Sequence, residues 1–154
     1  MLTRKSKLLL SLTVATPLLF AACVDNTLIG PYRDVAGTYQ LTIFSGASIP
    51  VTFTYAAGRL KGLPNGGTAT WTDGTMVLNS NGTFTERNNY DYQDNLGSSG
   101  SESFVSSGTF TVNGTDFTLS SPQVGQVAGR FATGTIQLDR INYVEQNFAF
   151  EYIR

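Results

Sequence analysis

The sequence predicts an all-β domain in which an antiparallel up-and-down meander closes into a small barrel of about eight strands. Three observations lead to this prediction. Apolar and polar residues alternate with a period of two through most of the chain after Val35. Glycine and asparagine interrupt that alternation at short intervals, as they do at hairpin turns. No apolar pattern of helical spacing persists over three turns.

Turn residues set the bounds of the predicted strands. Asn81-Gly82 and Asn113-Gly114 predict two tight hairpins, because both residue types tolerate the positive φ of a type I′ turn. Asp139-Arg140 predicts a third hairpin. The predicted strands run from Thr38 to Phe44, Val51 to Tyr55, Thr68 to Trp71, Thr75 to Asn79, Thr83 to Tyr92, Ser103 to Val112, Thr115 to Ser120, Arg130 to Leu138 and Asn142 to Ile153.

Closure follows from the length of the meander, because a long open sheet leaves edges that favour aggregation. A barrel of about eight strands has an interior just wide enough for side chains or for one small ligand. A two-sheet β-sandwich is the alternative that the sequence leaves open. Alternation predicts an inward face made of Tyr39, Leu41, Ile43, Phe53, Tyr55, Trp71, Val77, Phe84, Phe110, Phe117, Leu119, Ile136, Leu138, Phe148 and Phe150.

The first 22 residues differ from the rest and predict a signal peptide. Arg4, Lys5 and Lys7 precede an apolar run that ends at Phe20, which is too short for a bilayer-spanning helix of about 20 residues. Bulky Phe20 lies three positions before the expected cleavage site, where ordinary signal peptidase requires a small residue. The segment 19–23 instead resembles a lipobox, which implies that Cys23 carries the lipid.

This resemblance divides the chain into a lipoprotein-type signal peptide (1–22), a lipidated N-terminus with its tether (23–34) and a β-barrel domain (35–154). Val24 follows the cysteine, where an aspartate would imply retention in the inner membrane in the sorting systems that this pattern resembles. We therefore expect a palmitate-bearing protein of the cell envelope, anchored in the outer membrane and facing the periplasm.

Composition excludes several classes of function. The chain has no histidine and one cysteine, which excludes a Ser-His-Asp triad, an intramolecular disulfide and the commonest zinc sites. Removal of the signal peptide leaves seven basic against eleven acidic side chains, a formal charge of −4 without any basic stripe. Nucleic-acid binding is therefore not expected.

Short motifs of the domain resemble those of small bacterial lipocalin-like lipoproteins. They are the opening Gly37-Thr38-Tyr39, the turn 47–51 with its proline, the central hairpin 73–84, the segment 107–112, and the closing strands 133–136 and 150–154. The resemblance covers most of the domain and implies a closed β-barrel. It implies no common ligand.

Candidate site residues fall into two groups. Asp91 and Asp94 lie in a polar stretch that is a weak candidate for a calcium site, because it lacks the glycine and the terminal glutamate of an EF-hand loop. No motif of a catalytic serine or acid/base pair is present, so we expect neither an enzyme nor a cofactor. The side chains that could line an apolar ligand pocket are Tyr39, Phe53, Tyr55, Trp71, Phe84, Phe110 and Phe117.

Two functions are compatible with these patterns. The first is a lipid-anchored binding protein whose barrel holds a small hydrophobic ligand. The second is a structural or interaction lipoprotein with a filled core, an envelope assembly factor or an enzyme inhibitor, which acts through its loops. A continuous apolar cavity of roughly 300 Å³ or more would favour the first, and an interior filled with side chains would favour the second.

Overall fold

A computed structural model describes the backbone of residues 32–143 and 146–154, and the side chains of residues 32–139 and 148–154. The predicted signal peptide, Cys23 and most of the tether lie outside the described residues. Every regular element in the described part is a β-strand, and no helix there could span a membrane. The strands are β1 (Gly37–Phe44), β2 (Ala47–Ser48), β3 (Val51–Tyr55), β4 (Gly67–Leu78), β5 (Thr83–Asp94), β6 (Ser99–Asn113), β7 (Asp116–Ser121), β8 (Gly125–Ala132), β9 (Thr135–Tyr143) and β10 (Gln146–Ile153).

The strands form one antiparallel sheet that closes on itself. From β3 to β10 each strand pairs with the next along the chain, and β1 pairs with both β10 and β4. This double pairing completes a ring of eight strands, with β2 and β3 as additional strands. The predicted barrel is therefore confirmed, and the sandwich is not formed.

Strand β1 closes only one half of the barrel against β4. Its first residues, from Gly37 to Gln40, pair with Leu78 to Thr75 of β4. Farther along, β3 takes the place beside β4, where Val51 pairs with Trp71. No backbone pairing joins β3 to β10 among the described residues. The wall is thus continuous at the end where β1 begins, and it is split between β3 and β10 at the opposite end.

Two β-bulges change which side chains point inward, and they correct the prediction for Ile43 and Val77. The register of β1 shifts between Leu41 and Ile43, and that of β4 shifts between Trp71 and Asp73. An extra residue in a strand moves every following side chain to the other face. Phe44 therefore replaces Ile43 in the core, and Val77 is 37% exposed. The predicted strands 68–71 and 75–79 form one continuous strand, β4, around the second bulge.

The turn predicted at Asp139-Arg140 is also wrong, because both residues lie within β9. The chain reverses instead at Thr133-Gly134, where both residues have positive φ, 47° and 78°. A β-branched residue rarely adopts this conformation, so the turn carries no sequence signal. The hairpins at Asn81-Gly82 and Asn113-Gly114 are confirmed, although in each pair only the glycine has positive φ.

Chain segments cover both ends of the barrel. At the split end the loop 56–66 places Leu60 and Leu63 in the core, with 7% and 0% of their surfaces exposed. At the opposite end the turn 32–35 packs the ring of Tyr32 on Phe110, with ring centroids 4.8 Å apart. The hydroxyl of Tyr39 donates a hydrogen bond to the Val35 carbonyl oxygen (2.5 Å), which holds this turn on the barrel.

Candidate functional site

The aromatic residues predicted to line a pocket are buried inside the barrel. Six of them are at most 3% exposed, and Phe53 is half-buried. Among the described residues their ring contacts fall into separate groups. Tyr55 and Trp71 belong to a group around Phe44, and Phe110 and Phe117 lie together elsewhere. Tyr39 packs its ring edge-on to Phe131, with 6.4 Å between centroids.

Phe44 is the centre of the larger aromatic group. Its ring stacks on Trp71 with 4.5 Å between centroids and lies 4.8 Å from Phe148 and 4.9 Å from Phe150. Phe53 contacts Phe44 from the split side of the wall, with ring centroids 5.3 Å apart. Separations of 4.5–7 Å are those of rings in direct contact. The group therefore fills the part of the interior that it occupies.

Tyr55 and Tyr90 carry their hydroxyl groups into this interior. The indole Nε1–H of Trp71 donates to the Tyr55 hydroxyl at 2.8 Å, and Tyr90 donates to the Lys61 carbonyl oxygen at 3.1 Å. Burial raises the pKa of Tyr55 to about 12, although the Trp71 hydrogen bond opposes the shift. Burial also raises the pKa of Tyr90 to about 12, with the nearby Glu102 carboxylate adding to the effect.

A polar cluster that the sequence analysis did not identify lies within the barrel. It consists of Glu86, Asn88, Ser106 and Tyr152, and each is 0% exposed. Tyr152 and Asn88 donate to Glu86 Oε1 at 2.5 and 2.9 Å, and Ser106 donates to Oε2 at 2.7 Å. Asn88 also donates to the Tyr152 hydroxyl at 2.9 Å. These bonds tie β5, β6 and β10 together across the interior.

Strand alternation could have revealed this cluster. Glu86 and Asn88 lie between Phe84 and Tyr90 at a spacing of two, so they belong to the same inward face. Gly74 lies opposite Asn88, and a Cβ there would overlap Asn88 Oδ1. The glycine thus makes room for the cluster.

The weak calcium candidates Asp91 and Asp94 lie on opposite faces of β5, because their spacing of three cannot bring both to one face of a strand. Asp91 is exposed and accepts a hydrogen bond from Ser101 (2.5 Å). Asp94 is buried and accepts bonds from the backbone N–H of Leu96 (2.8 Å) and of Asn65 (3.0 Å). These bonds, with Leu96 first, hold the Asp94 pKa below its usual value. No three acidic or thiol side chains of the described residues are grouped to hold a metal ion.

A groove of about 460 Å³ lies on the outer face of the barrel, where it crosses β7 to β10 and the end of β1. Its rim is a cross-strand row in which Asp116, Arg130, Gln137, Glu151 and Ile43 are successive neighbours. We refer to this depression as the outer groove. It continues into adjoining depressions that share Arg130 and Glu151 on one side.

The floor of the outer groove is built from small residues. Ala128 and Ala149 flank Asp139 as its direct cross-strand neighbours on β8 and β10. Both alanines are exposed on the outer face, and their small side chains leave the space around Asp139 unfilled. Gly129 contributes only its backbone to the groove, because its place in β8, opposite Leu138, belongs to the inward face. The groove is therefore open because alanines, and not larger side chains, flank Asp139.

Comparison with known proteins adds no assignment to this geometry: no protein-family model, no curated protein and no solved structure matches the chain. The lipocalin-like resemblance of the motifs therefore stays a prediction, as does the lipid on Cys23, which lies outside the described residues.

Proposed function

We propose that this chain is a lipid-anchored protein of the bacterial cell envelope whose filled barrel is a scaffold and whose outer face binds a partner. The observation that carries the proposal is the packing of the aromatic interior. Trp71 and Phe53, two of the residues predicted to line a ligand pocket, instead contact the ring of Phe44, with centroids 4.5 and 5.3 Å apart. The outer groove provides a concave surface of a size suited to binding instead.

The covered ends of the barrel support the same proposal. Leu60 and Leu63 occupy the split end, and Tyr32 covers Phe110 at the opposite end. A small molecule would have to displace these side chains before it could enter. A ligand that bound inside the barrel would therefore disrupt the packing of these side chains each time it bound. A partner that binds the outer face displaces none of them.

Trp71 offers a direct test of the filled interior, because it is the only tryptophan of the chain and is 0% exposed. The full chain in detergent is titrated with brominated palmitate, whose bromine quenches tryptophan fluorescence on contact. We expect no more quenching than brominated detergent alone produces. Saturable quenching at one palmitate per chain would refute the filled scaffold and support a carrier of hydrophobic ligands.

The carrier remains the second candidate because of Phe53. This ring is half-buried at the split between β3 and β10, where it contacts Phe44 and Phe148 with centroids 5.3 and 6.3 Å apart. A hydrophobic ligand that entered through the wall would displace Phe53 first. If this route exists, Phe53→Ala should increase the quenching of Trp71 by brominated palmitate; if the interior is filled, the quenching should stay at the level of the wild type.

The anchor is tested separately on Cys23. We expect a palmitate analogue to label the wild-type chain in the bacterial envelope and to leave Cys23→Ala unlabelled, since no other cysteine is present. Fractionation of the wild type and of Val24→Asp tests the location. Movement of the variant from the outer to the inner membrane supports outer-membrane sorting, and equal labelling of Cys23→Ala would refute the anchor.

A further inference from the structure

The polar side chains of the outer groove differ from those elsewhere on the barrel surface in how they are paired. Over β5 and β6 they satisfy one another: Asn89 donates to Asp73 (2.5 Å), Ser103 to Asn89 (2.6 Å) and Ser101 to Asp91 (2.5 Å). The polar side chains named here therefore already have hydrogen-bond partners within the chain.

In the outer groove only one such pair is present among the described residues, from Gln137 Nε2 to Glu151 Oε2 at 3.0 Å. The side chains of Asp116, Arg130 and Asp139 make no hydrogen bond or ion pair within the described part of the chain. Arg130 lies directly across from Asp116, and yet their side chains do not pair. The groove thus presents charged groups to solvent around a floor of alanine.

The sign of this charge indicates the kind of partner. Among the described residues that line the groove, Asp116, Asp139 and Glu151 contribute three carboxylates and Arg130 contributes one guanidinium. Asp139 stands on the floor between Ala128 and Ala149, so a cationic group can approach it without displacing a side chain. Complementary charge both steers a partner and fixes its register.

The shape of the groove indicates how the partner is presented. The groove runs across β7, β8, β9 and β10, a long and open course that suits an extended chain better than a compact molecule. Ile43 at one end of the rim is half-buried and offers an apolar contact next to the carboxylates. A segment with alternating basic and small apolar side chains matches both features.

We propose that the outer groove binds an extended peptide segment of a partner protein, with a lysine or arginine of that segment on Asp139. This proposal rests on the proposed function, since it names the partner chemistry of the outer face. The Asp139 carboxylate accepts the charge-assisted hydrogen bond, and Ala128 and Ala149 contact the peptide backbone on either side. Asp116 and Glu151 raise the local concentration of cationic segments.

The test measures fluorescence anisotropy of a dye-labelled peptide of alternating alanine and lysine, added to the full chain in detergent at low ionic strength. We expect saturable binding that weakens about tenfold in Asp139→Asn, because one charge-assisted hydrogen bond is lost. The matched control is Asp91→Asn, which makes the same charge change on the outer face of β5. It should alter the Kd less than twofold.

A second variant tests shape without a change of charge. Ala128→Leu fills the floor beside Asp139 from an exposed position, and we expect it to abolish saturable binding while circular dichroism stays that of the wild type. No binding of the lysine peptide, equal loss in Asp91→Asn, or equal binding of a peptide with glutamate in place of lysine would each overturn the proposal. Such a failure would leave the filled interior standing, because quenching of Trp71 decides that point independently.

Discussion

Tyr152→Phe removes one hydroxyl group from the buried polar cluster and leaves the ring in place. That hydroxyl donates to Glu86 Oε1 at 2.5 Å and accepts from Asn88 at 2.9 Å, in surroundings that are 0% exposed. A buried hydrogen bond contributes about 0.5–1.5 kcal/mol, and the buried Glu86 and Asn88 groups left without this partner add about 1–2 kcal/mol to the loss. We expect the free energy of unfolding to fall by about 2–3 kcal/mol, which lowers Tm by about 8–12 °C in a domain of this size.

The assay is urea unfolding followed by the fluorescence of Trp71, which reports the barrel core. Tyr90→Phe is the matched control: it removes a buried hydroxyl whose partner is a neutral backbone carbonyl at 3.1 Å, so it should cost only about 1 kcal/mol. A double-mutant cycle with Glu86→Gln should give a coupling energy of about 1–2 kcal/mol with Tyr152→Phe. Equal costs for the two tyrosine variants, or a coupling near zero, would refute a coupled hydrogen-bond network around Glu86.

Three further predictions concern packing and pH. Phe84 is 2% exposed, and Phe84→Ala should lower the free energy of unfolding by about 3–5 kcal/mol. Phe53 is only partly buried at the split of the wall, so Phe53→Ala should lower it by about 1–2 kcal/mol. Urea unfolding checks both variants, and equal values would show that Phe53 is a full core residue. Because burial raises the pKa of Tyr55 and Tyr90 to about 12, their contribution to stability is fully present below pH 10 and is lost as the pH rises through 12. Tyrosinate absorbance should therefore show two groups that titrate late, and their titration near pH 10 would contradict the buried placement. Asp94 has a lowered pKa, so its contribution is present above the unfolded pKa of about 3.9 and is lost as the pH falls below it. The difference in Tm between wild type and Asp94→Asn should be constant from pH 5 to 8 and should shrink below pH 4; a difference that persists at pH 2 would exclude the charge as its cause.

Most of the barrel follows from local signals in the sequence. Alternation places Phe84, Phe110, Phe117 and Leu119 in the core, and the structure buries all four. Asn-Gly pairs mark two hairpins that the structure contains. These features depend on neighbours along the chain, which is why the sequence alone predicts them.

The errors have a different origin, since periodicity contains no signal for the features that cause them. The bulge that turns Ile43 outward arises where β1 pairs with β10, far along the chain, and the bulge that turns Val77 outward lies in the pairing of β4 with β5. The turn at Thr133 uses a conformation that its residue type disfavours. Neither has a signature within a few residues, so periodicity alone assigns these positions incorrectly.

The candidate site was the least predictable part. Aromatic residues that pack a core have the same alternating pattern as residues that line a pocket, so the sequence could not separate the two. The outer groove depends on two small side chains, Ala128 of β8 and Ala149 of β10, which lie on either side of Asp139. Residues that contribute space rather than contacts leave little trace in a single sequence.

The pairing of the first long strand with the last has a consequence for how the chain acquires its structure. Thr42 Oγ1 donates to the Glu151 carbonyl oxygen across 109 residues of sequence. Folding slows as the mean separation of contacting residues grows, and β-rich domains of this kind fold in milliseconds to seconds. Hairpins between β4 and β9 can form early, but the ring cannot close until the last eight-residue strand is available. Until then β1 and β9 present unpaired edges, so the incomplete barrel is the stage at which the chain is most prone to aggregation.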